Sequence, residues 1–193
     1  MFNLKLTHAL ALLALLAFTR LAQEPEPIAE TNRTVEISYR AQDLPPACDA
    51  LKPPAEQVAM FRLYAVGTQN YRWNGTAWGF VEPVATRYAD DKYHNKVGIH
   101  YVGPTWETNY GSKVMAARVT ACTPETTAIP WLLLQVNQNS GQTGGPGGIL
   151  TATTYIQRVN TKGGLMLTAP GAIVGATAEV PYTTEYVFFR AKN

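Results

Sequence analysis

His100 and Glu107 stand seven residues apart, with Gly103-Pro104 between them to turn the chain. A histidine that titrates near neutral pH, oriented or polarised by a carboxylate, makes an acid–base pair. That pair supports one functional reading, a small extracellular hydrolase. The competing assignment puts His100 in a strand, hydrogen-bonded within the sheet and on the face opposite Val97, Ile99 and Tyr101, with Trp106 in the core. Alternation favours this second assignment. No serine sits in a Gly-x-Ser-x-Gly elbow, so nucleophilic chemistry of that type has no carrier.

Aromatic residues offer a second chemistry. Tyr71, Trp73, Trp78 and Trp106 fall in or beside turn-rich segments that also hold Gln69, Asn70 and the carboxylate of Glu107. Flat rings that stack on sugar faces, with amides bonding hydroxyls, would make a glycan or wall-polymer site. The structural counterpart is core filling and cross-strand pairing, which large aromatics also serve in β proteins. Asp90-Asp91 and His94 read as a solvated loop: adjacent carboxylates on a strand would point to opposite faces, and no EF-hand spacing is present. Arg158 and Asn160, close to apolar Ile156 and Val159, fit a buried polar network better than an anion site.

Cys48 and Cys122 are the only cysteines, so an oxidising compartment leaves a single bridge to form. Two free buried thiols are the alternative. Neither His94 nor His100 has metal-ligand spacing to a cysteine, and no metal site is expected. Residues 1–22 read as a secretory signal peptide, with Lys5 ahead of an apolar run of about ten residues, too short to span a bilayer. Without that leader, which carries Lys5 and Arg20, the acidic and basic side chains of the chain balance, and an electrostatic nucleic-acid footprint is not expected. The sequons at Asn32 and Asn74 would accept glycans in a eukaryotic host.

Such residues need a frame, and the frame read here has a period of two. Residues 23–34 are Pro- and Glu-rich and read as a disordered N-terminus of the mature chain, with a single β domain over 35–193. Val35, Ile37 and Tyr39 alternate with polar residues, and 61–66 alternate likewise. Asn74-Gly75, between Tyr71-Arg72-Trp73 and Thr76-Ala77-Trp78, predicts a two-residue hairpin turn. Further strands are expected at 97–102, 113–121, 131–136, 153–160, 176–180 and 186–190, with a glycine-rich loop near 140–148. No helical periodicity appears beyond the leader, which excludes an α/β nucleotide fold and its phosphate-binding loops, and no cofactor is called for. The fold class is all-β: an antiparallel β-sandwich or sandwich-like closed barrel of about nine short strands.

Several longer segments carry a resemblance. They are Val66-Gly67-Thr68-Gln69-Asn70-Tyr71, His100-Tyr101-Val102-Gly103-Pro104-Thr105-Trp106-Glu107, Gly111-Ser112-Lys113-Val114 and Ile129-Pro130-Trp131-Leu132-Leu133-Leu134. Thr154-Tyr155-Ile156-Gln157-Arg158-Val159-Asn160-Thr161-Lys162-Gly163-Gly164 and Val180-Pro181-Tyr182-Thr183 complete the set. Together they resemble the secreted domain of unknown function 3455 family over about 57–191. The resemblance implies an exported, single-domain, β-rich protein, and brings no catalytic residue or cofactor with it. Relatives often carry one cysteine just after the Gln-Asn-Tyr segment and another after the Gly-Gly segment. Here Trp73 holds the first place and no cysteine follows Gly164, which makes Cys48–Cys122 the expected staple. The resulting expectation is an exported, non-catalytic domain that binds a surface, glycan or wall polymer at the cell envelope, with the His100–Glu107 hydrolase as the alternative.

Overall fold

The computed structural model describes residues 43–192, except the side chains of 146 and 147. The expected signal peptide, the segment 23–34 with its Asn32 sequon, and the strand expected around 35–39 lie outside the described residues.

Among the described residues period-two patterning produces eight antiparallel strands: β1 (Gln57–Trp73), β2 (Trp78–Tyr88), β3 (Lys96–Tyr101), β4 (Thr105–Thr108), β5 (Ser112–Cys122), β6 (Trp131–Gly141), β7 (Tyr155–Gly163) and β8 (Thr177–Ala191). Each pairs with the next, and β8 returns to β1 along the full seam from Gln57↔Ala191 to Arg72↔Thr177, closing a barrel. Closure removes the exposed strand edges that an open sheet would leave.

The eight described strands agree with the expected all-β fold of about nine strands, but several have other bounds. Segments 61–66 and 71–73 are one strand, because polar Thr68 and Gln69 continue the ladder against β2 and β8 instead of breaking it. Likewise 176–180 and 186–190 join through Pro181 and Tyr182 into β8. Thr105–Thr108, read as the far side of a turn, is a strand of its own. The β1–β2 hairpin forms with its turn moved on by one residue. Asn74 N–H donates to Ala77 O at 3.0 Å, and Gly75 stands first in the turn with φ 104°, the position a type II′ turn reserves for glycine.

Two apolar layers result. One fills the barrel, with Phe61, Trp106, Leu134, Ile156, Tyr186 and Phe188 among its members. The second lies outside the wall, where Leu133, Val159, Val187 and Phe189 are covered by the 3-10 turn Pro46–Leu51. Consecutive residues of β8 are therefore buried on both faces. The turn is fixed by the Cys48–Cys122 disulfide to β5, with Cα atoms 5.4 Å apart, and by Gln157 Nε2 donating to Leu51 O at 2.7 Å. The bridge expected from cysteine counting is present. Among the described residues no helix is long and apolar enough to cross a membrane.

Candidate functional site

At the barrel end that carries the β1–β2, β3–β4 and β5–β6 turns, the interior opens into a cavity of about 440 Å³. Its walls are mostly apolar, from Tyr71 and Pro83 on one side to Pro104 and Leu132 on the other. His100, Trp106, Tyr186 and Gln69 line it from the buried interior, Arg158 stands on the wall, and exposed Arg118 is among its outer lining residues.

The strand register explains who is inside. His100 pairs with Trp106 across β3 and β4, and Ile99 pairs with Glu107. Paired residues share a face and neighbours alternate, so His100 and Trp106 point inward and Glu107 points outward. His100 is 3% exposed, whereas Ile99 is 41% exposed. His100 is on the face opposite Val97, Ile99 and Tyr101, as their alternation predicts, and that face is the inner one. The register also keeps the two members of the expected acid–base pair on opposite sides of the wall. Glu107 accepts from the Tyr101 hydroxyl at 2.6 Å and lies 3.1 Å from Lys113 Nζ, and these bonds hold its carboxyl below the usual range.

Inside, His100 Nδ1 lies 2.8 Å from Thr105 O. A carbonyl only accepts, so Nδ1 carries the proton and Nε2 is left as an acceptor. Burial pushes the imidazole down to about 3, with Arg87 and Arg158 pushing the same way and the Thr105 bond opposing them. His100 is a neutral group at physiological pH. Tyr186 packs edge-on against both His100 and Trp106 at 5.3 and 5.4 Å, and burial raises its hydroxyl. That hydroxyl lies beside Tyr182 and Arg158 without a well-aligned bond to either. Trp106 Nε1 and Gln69 Nε2 are also buried and unsatisfied. Tyr71 is anchored through its hydroxyl to Gly164 O at 2.6 Å.

The expected glycan-binding set divides. Gln69, Tyr71 and Trp106 line the cavity. Trp73 and Trp78 form a cross-strand pair beside the hairpin turn, ring centroids 5.7 Å apart and tilted by 58°. Trp78 Nε1 donates to Ala169 O, and a Cβ on Gly171 would come within 2.5 Å of the Trp73 ring, so residues 169–171 lie over the pair. Asn70 stays in the β1 ladder, its Oδ1 accepting from Thr68 Oγ1. Asn74, the sequon residue, has its Oδ1 occupied by Thr76 and Ala77 within the turn.

Asp90 closes the β2–β3 connection by accepting from the backbone of Lys92, His94 and Asn95. Arg158 and Asn160 reach different acceptors in these bonds: Arg158 donates twice to Pro130 O, and Asn160 donates to Glu185 Oε1 at 2.9 Å. Sequence reasoning missed Arg87 altogether. It is fully buried in the barrel, and nothing in the stretch Ala85-Thr86-Arg87-Tyr88 distinguishes an inward arginine from the usual solvated one.

Fold and site together define, among the described residues, a closed eight-stranded antiparallel barrel with a mostly apolar cavity at one end that a few buried polar groups line. The model of a family described as protein of unknown function (DUF3455) matches residues 54–190, and the chain belongs to that family. No curated protein and no solved structure matches it.

Proposed function

We propose that this is an exported, non-catalytic binding domain that takes a small molecule into the open end of its barrel. The observation that carries the reading is the cavity: about 440 Å³, apolar walls, and buried polar atoms of Trp106 and Gln69 left without partners. Volume and lining are those of small-ligand sites, where a few convergent polar groups fix orientation. A catalytic role finds little support, since His100 is too weak a base near pH 7 and no carboxylate lines the cavity among the described residues. A flat aromatic platform finds little either, because the Trp73–Trp78 rings are tilted by 58° and partly covered by residues 169–171. Contact with an envelope polymer would be made by a chain end entering the mouth, through Tyr71 and Gln69. Export is supported by the disulfide, which suits an oxidising compartment.

The test is saturable binding of small fluorescent aryl dyes to the disulfide-bonded protein. One-to-one binding is expected, and Leu132→Trp, which fills the cavity from β6, should abolish it without lowering the melting temperature. Absence of saturable binding, or binding indifferent to Leu132→Trp, would sink the reading.

A further inference from the structure

Among the described residues the barrel interior holds cationic side chains and no buried carboxylate. Two guanidinium groups, those of Arg87 and Arg158, lie near His100 and Tyr186. Among the described residues no Asp or Glu is buried, and neither arginine forms an ion pair. Arg87 donates to Ile99 O at 3.1 Å and to Glu107 O, but its Nη1 meets no acceptor. The Phe188 ring lies 6.0 Å from its guanidinium, and Tyr186 and the Glu107 carboxylate favour its charge from further off. Arg158 spends two donors on the single carbonyl of Pro130, at 3.1 and 2.8 Å. The Glu107 carboxylate is outside the wall and already held by Tyr101 and Lys113. Carbonyl contacts compensate a buried cation only in part, so an anion inside the barrel would be favoured.

The unsatisfied atoms around the cavity point the same way. Trp106 Nε1 can only donate, as can the Gln69 amide nitrogen, and the Tyr186 hydroxyl has a proton to give. His100 adds an acceptor at Nε2 and no charge. A pocket with a cation on its wall and surplus donors is complementary to an acceptor-rich, negative group, and its apolar remainder to a hydrocarbon or aryl body.

We propose that the ligand of this cavity is an organic acid, its carboxylate set against Arg158 and the neighbouring donors and its apolar body against the wall between Tyr71 and Leu132. The proposal rests on the reading of the barrel end as a ligand site, and names the chemistry of what enters it.

Two dyes with one ring system separate the two claims. 8-Anilinonaphthalene-1-sulfonate carries an anionic group, and N-phenyl-1-naphthylamine is the same body without it. The wild-type protein should bind the anionic dye about tenfold or more tightly than the neutral one. 3-Phenylpropanoate should displace it, and 3-phenylpropanamide should not. Arg158→Met should weaken the anionic dye about tenfold while leaving the neutral dye unchanged, and Arg158→Lys should fall between. If Arg158→Met does not fold, the wild-type dye and competitor pairs decide alone. Equal binding of both dyes, equal displacement by acid and amide, or equal loss of both dyes in folded Arg158→Met overturns the anion proposal and leaves the cavity reading standing. Binding of neither dye overturns both.

Discussion

The His100 imidazole is stacked on the Trp106 indole, ring centroids 4.3 Å apart and planes 19° apart, because the two residues face each other across β3 and β4. Stacking against an indole, with Tyr186 at the edge and the cations Arg87 and Arg158 nearby, is an environment for a neutral ring. Its proton sits on Nδ1 against Thr105 O, which fixes the ring's orientation as well as its tautomer.

This burial makes stability depend on pH in a defined direction. The folded-state value of about 3 is below the unfolded value of about 6.5. Between the two, the unfolded chain binds more protons, so stability falls as pH drops through that window. At pH 5 the loss relative to pH 7.5 should be about 2 kcal/mol from His100 alone. Urea midpoints at the two pH values measure it, and this interval is above the range where Asp90 and Glu107 change protonation. His100→Phe keeps the stack, removes the titration, and should flatten the difference. A His100→Phe protein with the wild-type pH dependence would refute the assignment.

The disulfide should matter to the outer apolar layer as well as to chain entropy. Cys48 is fully buried beside Leu51, and its partner lies 74 residues on, at the end of β5. Constraining a loop of that length stabilises by roughly 4 kcal/mol in the chain-entropy model. Reduction should therefore lower the urea midpoint markedly and loosen the 3-10 turn from Val187 and Phe189. Hydrogen exchange at Lys52, whose amide donates to Asp49 O, reports on that turn, and exchange unchanged by reductant would contradict the role.

What the sequence made legible was the period, not the polarity of the wall. Val97, Ile99 and Tyr101 against Gly98 and His100 is a plain alternation, and it assigns two faces without saying which is inside. The apolar set is the usual choice for the core, but here the barrel encloses a histidine, an arginine and tyrosine hydroxyls, so the rule pointed the wrong way. Strand ends were lost for a related reason. Thr68-Gln69-Asn70 looks like a break between two short strands, yet Gln69 is buried in the barrel and the ladder runs through it. The covalent staple was legible because two cysteines allow one pairing. Of the residues singled out by type and position, Gln69, Tyr71, His100 and Trp106 line the cavity. Arg87 was not singled out, and Arg158 was seen without its partner Pro130, because which cations a barrel encloses depends on register between distant strands.

Gly98 tests how closely β3 and β4 are packed under Arg87. A Cβ at this position would come within 2.1 Å of Glu107 O and 2.4 Å of Arg87 Nη2. The carbonyl belongs to the paired strand and cannot swing aside as a flexible side-chain tip could. Gly98→Ala should thus cost about 2–3 kcal/mol, near the upper end of overpacking penalties. Gly79→Ala, where the nearest atom to a new Cβ is 3.8 Å away, is the control and should be close to neutral. Similar melting temperatures for the two variants would show that the strands part more easily than their geometry implies.

Trp73 separates a structural role from a ligand-contacting one. Its backbone accepts from Gly175 N–H and donates to Ala176 O, both at 2.8 Å, while its ring packs against Gly171. Residues 165–175 contain exposed Leu165, Met166 and Leu167 and belong to no strand or helix, so their order depends on contacts of this kind. Trp73→Ala should destabilise by roughly 2 kcal/mol, about half the cost of removing a fully buried tryptophan. It should also expose 165–175 to chymotrypsin, with cleavage mapping to Leu165 through Leu167. Dye binding in the cavity should change little, because Trp73 is not among the lining residues. The opposite pattern, intact protease resistance with lost ligand or glycan binding, would return Trp73 to the role of a binding platform.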